Sequence, residues 1–325
     1  MRIISGNSVD ELYYKARKLL SAIGELEPSR NGTVRVAPHP VVSVYTNPTN
    51  RVLLNKHRNA NHAFHINEAI WMLAGSNDAT WLDQFIHDFS SRYTKAGVLD
   101  GAYGYRWRNH FKRDGESLDQ IKEVITILNR DPDSRRAVIS MHDPVADLNV
   151  DTLDQPCNTT LYFRVYDQAL DMTVICRSND IIWGAYGANA VHFSVLQEYI
   201  AAAIDIPIGK MYQISNNWHA YTKVLASNPA PRTFDIVPGP CIPLVTVPSE
   251  FIADCEQWIN PDWYMASYAN SWFTSVLRPI RESFMAAKYN HYAAADTAAR
   301  TIDDDAWAIG MRQWINAKRE KYNAR

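Results

Sequence analysis

The chain is poor in the features that would place it at a glance. Its four cysteines, at 157, 176, 241 and 255, form no CxxC pair and show no zinc-ligand spacing. Neither a disulfide framework nor a metal site is expected from them. Neither charge is in excess: 33 Lys and Arg against 35 Asp and Glu leave a formal net charge of -2. That argues against a general nucleic-acid binder, whose footprint is basic, but not against a small anion gripped by a few arginines. No apolar run is long enough to span a bilayer, and the first residues, Met1 to Asn7, lack a signal-peptide core, so the cytoplasm is the expected location. Repeats, low-complexity tracts and a clear interdomain linker are also missing. With 46% hydrophobic and 21% charged residues among 325, the composition is that of a globular protein with ample core.

The stretch that organises the rest runs from Asp154 to Asp180. Thr159 to Tyr166 and Leu170 to Cys176 are rich in β-branched and aromatic residues and are separated by three residues, which predicts a β-hairpin. Its first strand begins just after Cys157 and its second ends in Arg177-Ser178-Asn179-Asp180. Antiparallel pairing brings those ends together, so a thiol should lie beside a guanidinium. A nearby cation favours thiolate over thiol, and the expectation is an activated sulfur nucleophile beside an anion site. A lone cysteine is more often a packed, inert residue, so its company decides.

Ser8-Val-Asp-Glu11 is a capping box opening a helix to about Ile23, followed by a turn at Arg30-Asn31-Gly32-Thr33. Asn61 to Leu73 reads as a helix stopped by Gly75, with Glu68 among Ile66, Ala69, Ile70 and Trp71. A carboxylate near a buried face is costly unless bonded or protonated, and burial raises its pKa towards the range useful for proton transfer. Asp78 to about Phe89 is expected as a second helix, with Trp81, Phe85 and Phe89 as core. Ser117 to Gln120 caps a third, and Asp131-Pro-Asp-Ser-Arg135-Arg136 leads into a strand from Ala137 to Met141. Asn189 opens a helix to about Ile204, where a plain N-cap would suffice. Lys210 to Trp218 is strand-like and ends in His219-Ala-Tyr221. From Ser249 onward the chain is helix-like and rich in Trp, Tyr and Ala.

Pro156-Cys157 with Arg177-Ser178-x-Asp180-x-x-x-Gly184 resembles the nucleophile segment of the thymidylate synthase and pyrimidine nucleotide hydroxymethylase family. Further resemblances follow in order over about residues 60–225: Glu68-x-x-Trp71-x-Leu73, Tyr103-Gly-x-x-Trp107-Arg108, the Arg135-Arg136 pair, and His219-x-Tyr221. The resemblance implies an α/β (α+β) fold, a large mixed twisted sheet covered by helices, with a sheet-mediated homodimer. It implies a catalytic domain over residues 1–248, leaving 249–325 as a helical C-terminal extension packed on it. The implied chemistry is addition of Cys157 to C6 of a pyrimidine nucleotide monophosphate, whose C5 then attacks the one-carbon unit of 5,10-methylenetetrahydrofolate. By resemblance Glu68 and Tyr103 handle protons, while Asp180, Gly184 and Glu68 meet the folate. Arg177, loosely Arg30, and Arg135 and Arg136 from the partner subunit hold phosphate, and Ser178 also contacts the substrate. His219 and Tyr221 hold the ribose. Asn189 reads the base, provided the loop after Gly184 carries one extra residue; otherwise Ala188 takes that place.

The tail unlike the closing C-terminus of synthases, the absence of a tryptophan pair before Tyr103, Asn158 after the nucleophile and the wording Arg-Ser-Asn-Asp-Ile-Ile all resemble phage hydroxymethylases. The expected product is therefore a 5-hydroxymethyl nucleotide, with dUMP favoured by Asn189, made in the cytoplasm of an infected bacterium. Thymidylate synthesis is the main alternative; dCMP or CMP hydroxymethylation, an inactive nucleotide-binding homologue and an unrelated hydrolase using Cys157 and His219 are others. No metal, membrane or specific nucleic acid is expected as a partner.

Overall fold

A computed structural model of the chain describes residues 1–234 and 242–324. Cys241 and Arg325 lie outside the described residues. The centre is a mixed sheet of eight strands: β1 (Arg2–Gly6), β2 (Glu25–Glu27), β3 (Val34–Val36), β4 (Val41–Tyr45), β7 (Val138–Ser140), β8 (Asn158–Tyr166), β9 (Ala169–Asp180) and β10 (Ile208–Tyr221), while β5 (Lys112–Arg113) and β6 (Glu116–Ser117) form a separate ribbon. The order is β1-β4-β10-β9-β8-β7, with β3 paired to β10 and β2 to β3. β1 runs parallel to β4 and β10 parallel to β9; the other pairs are antiparallel.

The predicted hairpin is β8–β9, and its turn is tighter than the sequence suggests. Only Asp167 and Gln168 separate the strands, both at positive φ (50° and 59°), the twist that suits a two-residue hairpin turn. Asn158 pairs with Cys176 but Thr160 with Ile175. The extra residue, Thr159, makes a bulge immediately after the nucleophile position, a device that re-aims neighbouring side chains.

The longer helices are α1 (Val9–Ile23), α2 (His62–Leu73), α3 (Gln120–Arg130), α4 (Asn189–Ala203), α5 (Pro248–Trp258), α6 (Arg278–Lys288), α7 (Tyr292–Arg300) and α8 (Asp305–Asn323). The box at α1 forms: Ser8 Oγ accepts from Glu11 N, and Glu11 Oε2 accepts from Asn7 N. Gly75 ends the α2 region at φ +73°, open to glycine at little cost. α3 is capped by Asp119 rather than Ser117.

One helix expectation fails. Asp78–Phe89 is not a single helix but a 3₁₀ turn (Ala79–Gln84) and a short helix (Phe89–Tyr93). Asp88 takes a left-handed backbone between them (φ 56°), and Asp83 turns back to accept from the backbone and hydroxyl of Ser90. Short polar side chains here bond locally in competition with a continuous ladder.

α2 and α4 are buried over nearly their whole length, as expected of helices apolar on all sides. The helices after residue 248 share their core. Trp258 Nε1 donates to Asn67 Oδ1 at 2.8 Å, Phe284 stacks near Phe85 at 5.4 Å between ring centroids, and the Trp307 ring meets His62 edge-on at 6.4 Å.

Candidate active site

A cavity of about 730 Å³ opens at the ends of β8, β9 and β10 and is lined by Cys157, Arg177, Ser178, His219, Tyr221 and Arg30, with Asp154 and Asn217 beside them. Strand pairing builds it. Arg177 N donates to Cys157 O at 2.9 Å, so thiol and guanidinium flank one rung. In the parallel β9–β10 ladder Ser178 sits opposite Asn217 and Asp180 opposite His219. The Arg177 side chain also donates through Nε to Pro156 O (3.0 Å) and through a terminal nitrogen to Gln155 O (3.3 Å), bracing the backbone that presents the sulfur. Arg30 comes in from the Ser29–Gly32 turn.

The charge state of Cys157 corrects the expectation of a lowered pKa. Burial pushes the thiol up, and Arg177 and, more weakly, Arg30 only oppose it, while Asp154 adds to the rise. Desolvation of the thiolate outweighs two nearby cations.

Behind the cavity a polar network runs under the strand ends. Tyr103 OH accepts from Asn158 Nδ2 (2.8 Å) and Asn158 N (3.3 Å), and Cys176 Sγ donates to Asn158 Oδ1 (2.6 Å). Asn179 Nδ2 donates to Ser215 Oγ (2.9 Å), and Asn189 Nδ2 donates to Asn179 Oδ1 (3.3 Å). Burial raises the Tyr103 phenol far above its ordinary value, so it enters the network as a neutral hydroxyl. Gly104 allows this segment to dock: a Cβ there would stand 1.9 Å from Met72 O at the end of α2.

Asn189 is not the N-cap of α4. Ala188 holds that position, without a side-chain cap bond. The preceding Ile181–Ala188 forms a π-helical stretch broken at Tyr186 and Gly187 (φ -115°, ψ -110°). Such a stretch accommodates one more residue than an α-helical turn, and Asn189 is directed at Asn179, next to Ser178. Gly184 leaves room for this: a Cβ on it would lie 3.0 Å from Asn179 Oδ1 and 3.2 Å from Asn189 Nδ2.

Asp180 caps the π-helical stretch, its Oδ1 accepting from Ile182 N and Trp183 N at 2.7 Å each. Its Oδ2 is buried and has no hydrogen-bond partner among the described residues, and the same holds for His219 Nδ1. Burial raises the Asp180 carboxyl, against the pull of those two amides, His219 and Arg58. Trp183, 53% exposed, lies beneath the Arg58 guanidinium at 4.4 Å.

Glu68 does not line the cavity. It packs between α2 and α4, where His192 Nε2 lies 2.9 Å from Glu68 Oε2. Arg135 and Arg136 are exposed in the turn before β7 and do not line the cavity of their own chain. Three neighbours escape a reading of the sequence. Asp154, three residues before the nucleophile, accepts from Gly101 N at 2.9 Å, and burial raises its carboxyl. Asn217 is set by its rung opposite Ser178. His192 reads in sequence only as one more residue of an apolar helix.

The thymidylate synthase family model matches residues 12–230. The chain belongs to the thymidylate synthase family. It is similar to the deoxyuridylate hydroxymethyltransferase of Pseudomonas phage M6, with 36% identity over 347 residues that cover 100% of this chain and 97% of that protein. The protein of the same name from Bacillus phage SP01 is 31% identical, covering 83% of this chain and 71% of the relative. That of Delftia phage PhiW-14 is 26% identical over 67% and 62%. Helices α5 to α8 lie beyond the family match yet within the alignment to the M6 protein.

Proposed function

We propose that the chain transfers a hydroxymethyl group to C5 of dUMP, the activity named for its phage relatives. One observation carries the reading at the level of residues: Cys157, Arg177, Ser178, His219 and Tyr221 converge on one cavity. The donors suit a nucleotide. Guanidinium groups of Arg177 and Arg30 offer charge-assisted bonds to phosphate, and His219 and Tyr221 bring polar groups suited to a sugar hydroxyl into the same cavity. Cys157 adds to C6 of the ring, making C5 nucleophilic. Its thiol is protonated in the free chain, so the phosphate-bound arginines and the incoming base must help it ionise. Glu68 takes and returns protons, with Tyr103 a neutral donor. Asn189 presents an amide to the pyrimidine edge, able to pair with the O4 and N3–H of uracil.

5,10-Methylenetetrahydrofolate would supply the one-carbon unit. The chain offers it an acceptor whose second oxygen is buried and unpartnered, Asp180 Oδ2, which fits a heterocycle rich in N–H donors, with Gly184 leaving space alongside. Arg135 and Arg136 support a shared dimeric site: exposed and not part of the lining of their own cavity, they are available to reach a partner's phosphate.

The decisive experiment supplies dUMP and dCMP separately with methylenetetrahydrofolate and follows C5 proton release, product mass and the folate product. Hydroxymethyl-dUMP with tetrahydrofolate is expected. A methylated product with dihydrofolate would replace this reading by thymidylate synthesis, and turnover of dCMP alone would move the base assignment.

A further inference from the structure

We infer that His192 is a positioning residue for Glu68 and the second holder of its proton, serving the step in which water attacks the C5 methylene. The inference rests on the reading of Glu68 as the proton-handling group. His192 sits on α4 one turn after Asn189, 3% exposed, with Nε2 2.9 Å from Glu68 Oε2, which is itself 12% exposed. The contact is close but is not aligned as a hydrogen bond, and neither ring nitrogen has such a bond among the described residues. A buried imidazole with both nitrogens unsatisfied is costly, and a small rotation towards Glu68 satisfies one of them. The groups facing the pair are His65 on α2, Arg58 and His62 at its entrance, and Asp154, whose carboxyl feels the charge of Glu68. Burial keeps His65 and His62 neutral, so neither brings a positive charge to the pair.

The chemistry gives the pair a use. Water adds its oxygen to the methylene carbon, the electron pair of the exocyclic double bond moves into the ring towards O4, and one water proton must leave. It passes to the Glu68 carboxylate, and with Nε2 alongside it is shared. The O4 enolate then re-forms the C5–C6 double bond and expels the Cys157 thiolate. A methyl-forming branch needs no such acceptor, because hydride carries no proton.

The test compares His192→Gln and His192→Asn with the unaltered chain, using dUMP tritiated at C5. Gln and Asn keep an amide donor for Glu68 but take up no proton. The expected result is tritium release exceeding hydroxymethyl product by about a hundredfold or more, the low end of what a proton acceptor contributes. KM for dUMP should change little while kcat for hydroxymethyl product falls. Release and product falling together, or no change in either, would overturn the inference. So would loss of fold in both variants, which would make His192 a packing residue. Glu68→Gln run in parallel separates the two claims. If it still releases tritium, the reading of Glu68 fails; if release stops while the His192 variants keep the normal ratio, only the inference fails.

Discussion

The strand ends around Cys157 and the two helices behind them hold their polar groups in opposite ways. On the strand side, Arg177, Ser178, Arg30 and Tyr221 are exposed or half-buried and face open space. On the helix side, Glu68, His192, His65 and Asn189 are buried or nearly so, with one another and Asn179 as polar neighbours. Ladder rungs fix Arg177, Ser178 and Tyr221 in the first group, so their places follow from the pairing of backbones, and a turn brings in Arg30. Helix packing fixes the second, so each residue's place follows from rotation and depth. A site divided in this way can grip a charged substrate at a wet rim and move protons in a dry interior, where a misplaced charge costs most.

The contrast can be broken from either side. Removing the sulfur with Cys157→Ala should abolish turnover by about 10⁴-fold or more, the scale of losing a nucleophile, while dUMP still binds by calorimetry. Residual turnover within tenfold of the original would remove the adduct. On the helix side, Glu68→Gln should lower kcat by roughly 10²–10⁴-fold with KM little changed. A change confined to KM would place Glu68 among the binding groups instead.

Acid should unfold the helix side first. Burial, aided by the charge of Arg58, lowers His62 from 6.5 to about 3. The stabilisation is complete above pH 6.5 and is lost as pH falls towards 3, because the unfolded chain takes a proton that the folded one refuses. At about 1.4 kcal/mol per pH unit the loss is on the order of 4 kcal/mol by pH 3. Denaturant titrations across pH should show it, and His62→Gln should flatten the acid limb; an unaltered limb would assign the acid sensitivity elsewhere.

Smaller effects sharpen the strand side. Arg177→Ala should weaken dUMP binding by roughly 1.5–3 kcal/mol, the worth of charged hydrogen bonds, and should slow iodoacetamide alkylation of Cys157 at any pH near neutrality by raising its pKa further. Equal alkylation rates would mean that the guanidinium has no hold on the sulfur. Least of all, Trp258→Phe strips Asn67 Oδ1 of its donor and should cost about 1–3 kcal/mol, read as a lower melting temperature with kcat unchanged. No shift would mean that α5 and α2 are only loosely coupled.

The same division explains what could be read before any coordinates. The rim was legible because two closely spaced runs rich in β-branched and aromatic residues, Thr159–Tyr166 and Leu170–Cys176, mark a hairpin, and a hairpin fixes who sits opposite whom. The place of Arg30 rested only on resemblance, and the structure brings it to the cavity. Helices were legible as elements, including the one that carries Glu68. Their contacts were not, since His192 and Asn67 gain meaning only when α4 and α5 settle on α2. Asp78–Phe89 misled because its aromatic spacing of four fits a helix, whereas Asp83 and Asp88 spend their side chains and backbone on turns. The thiol of Cys157 misled because a sequence displays the neighbouring cation but not the lost water.

Residues 181–188 carry a consequence for how such enzymes diverge. Their loosened coil absorbs a supernumerary residue, so deleting one there would wind α4 back by about 100° if the flanking strands stayed put. Asn189 would swing off Asn179 and His192 off Glu68 in one stroke. A single codon gained or lost at this spot would thus displace both the base contact proposed for Asn189 and the proton route proposed for Glu68, with Arg177 and Arg30 left where they stand.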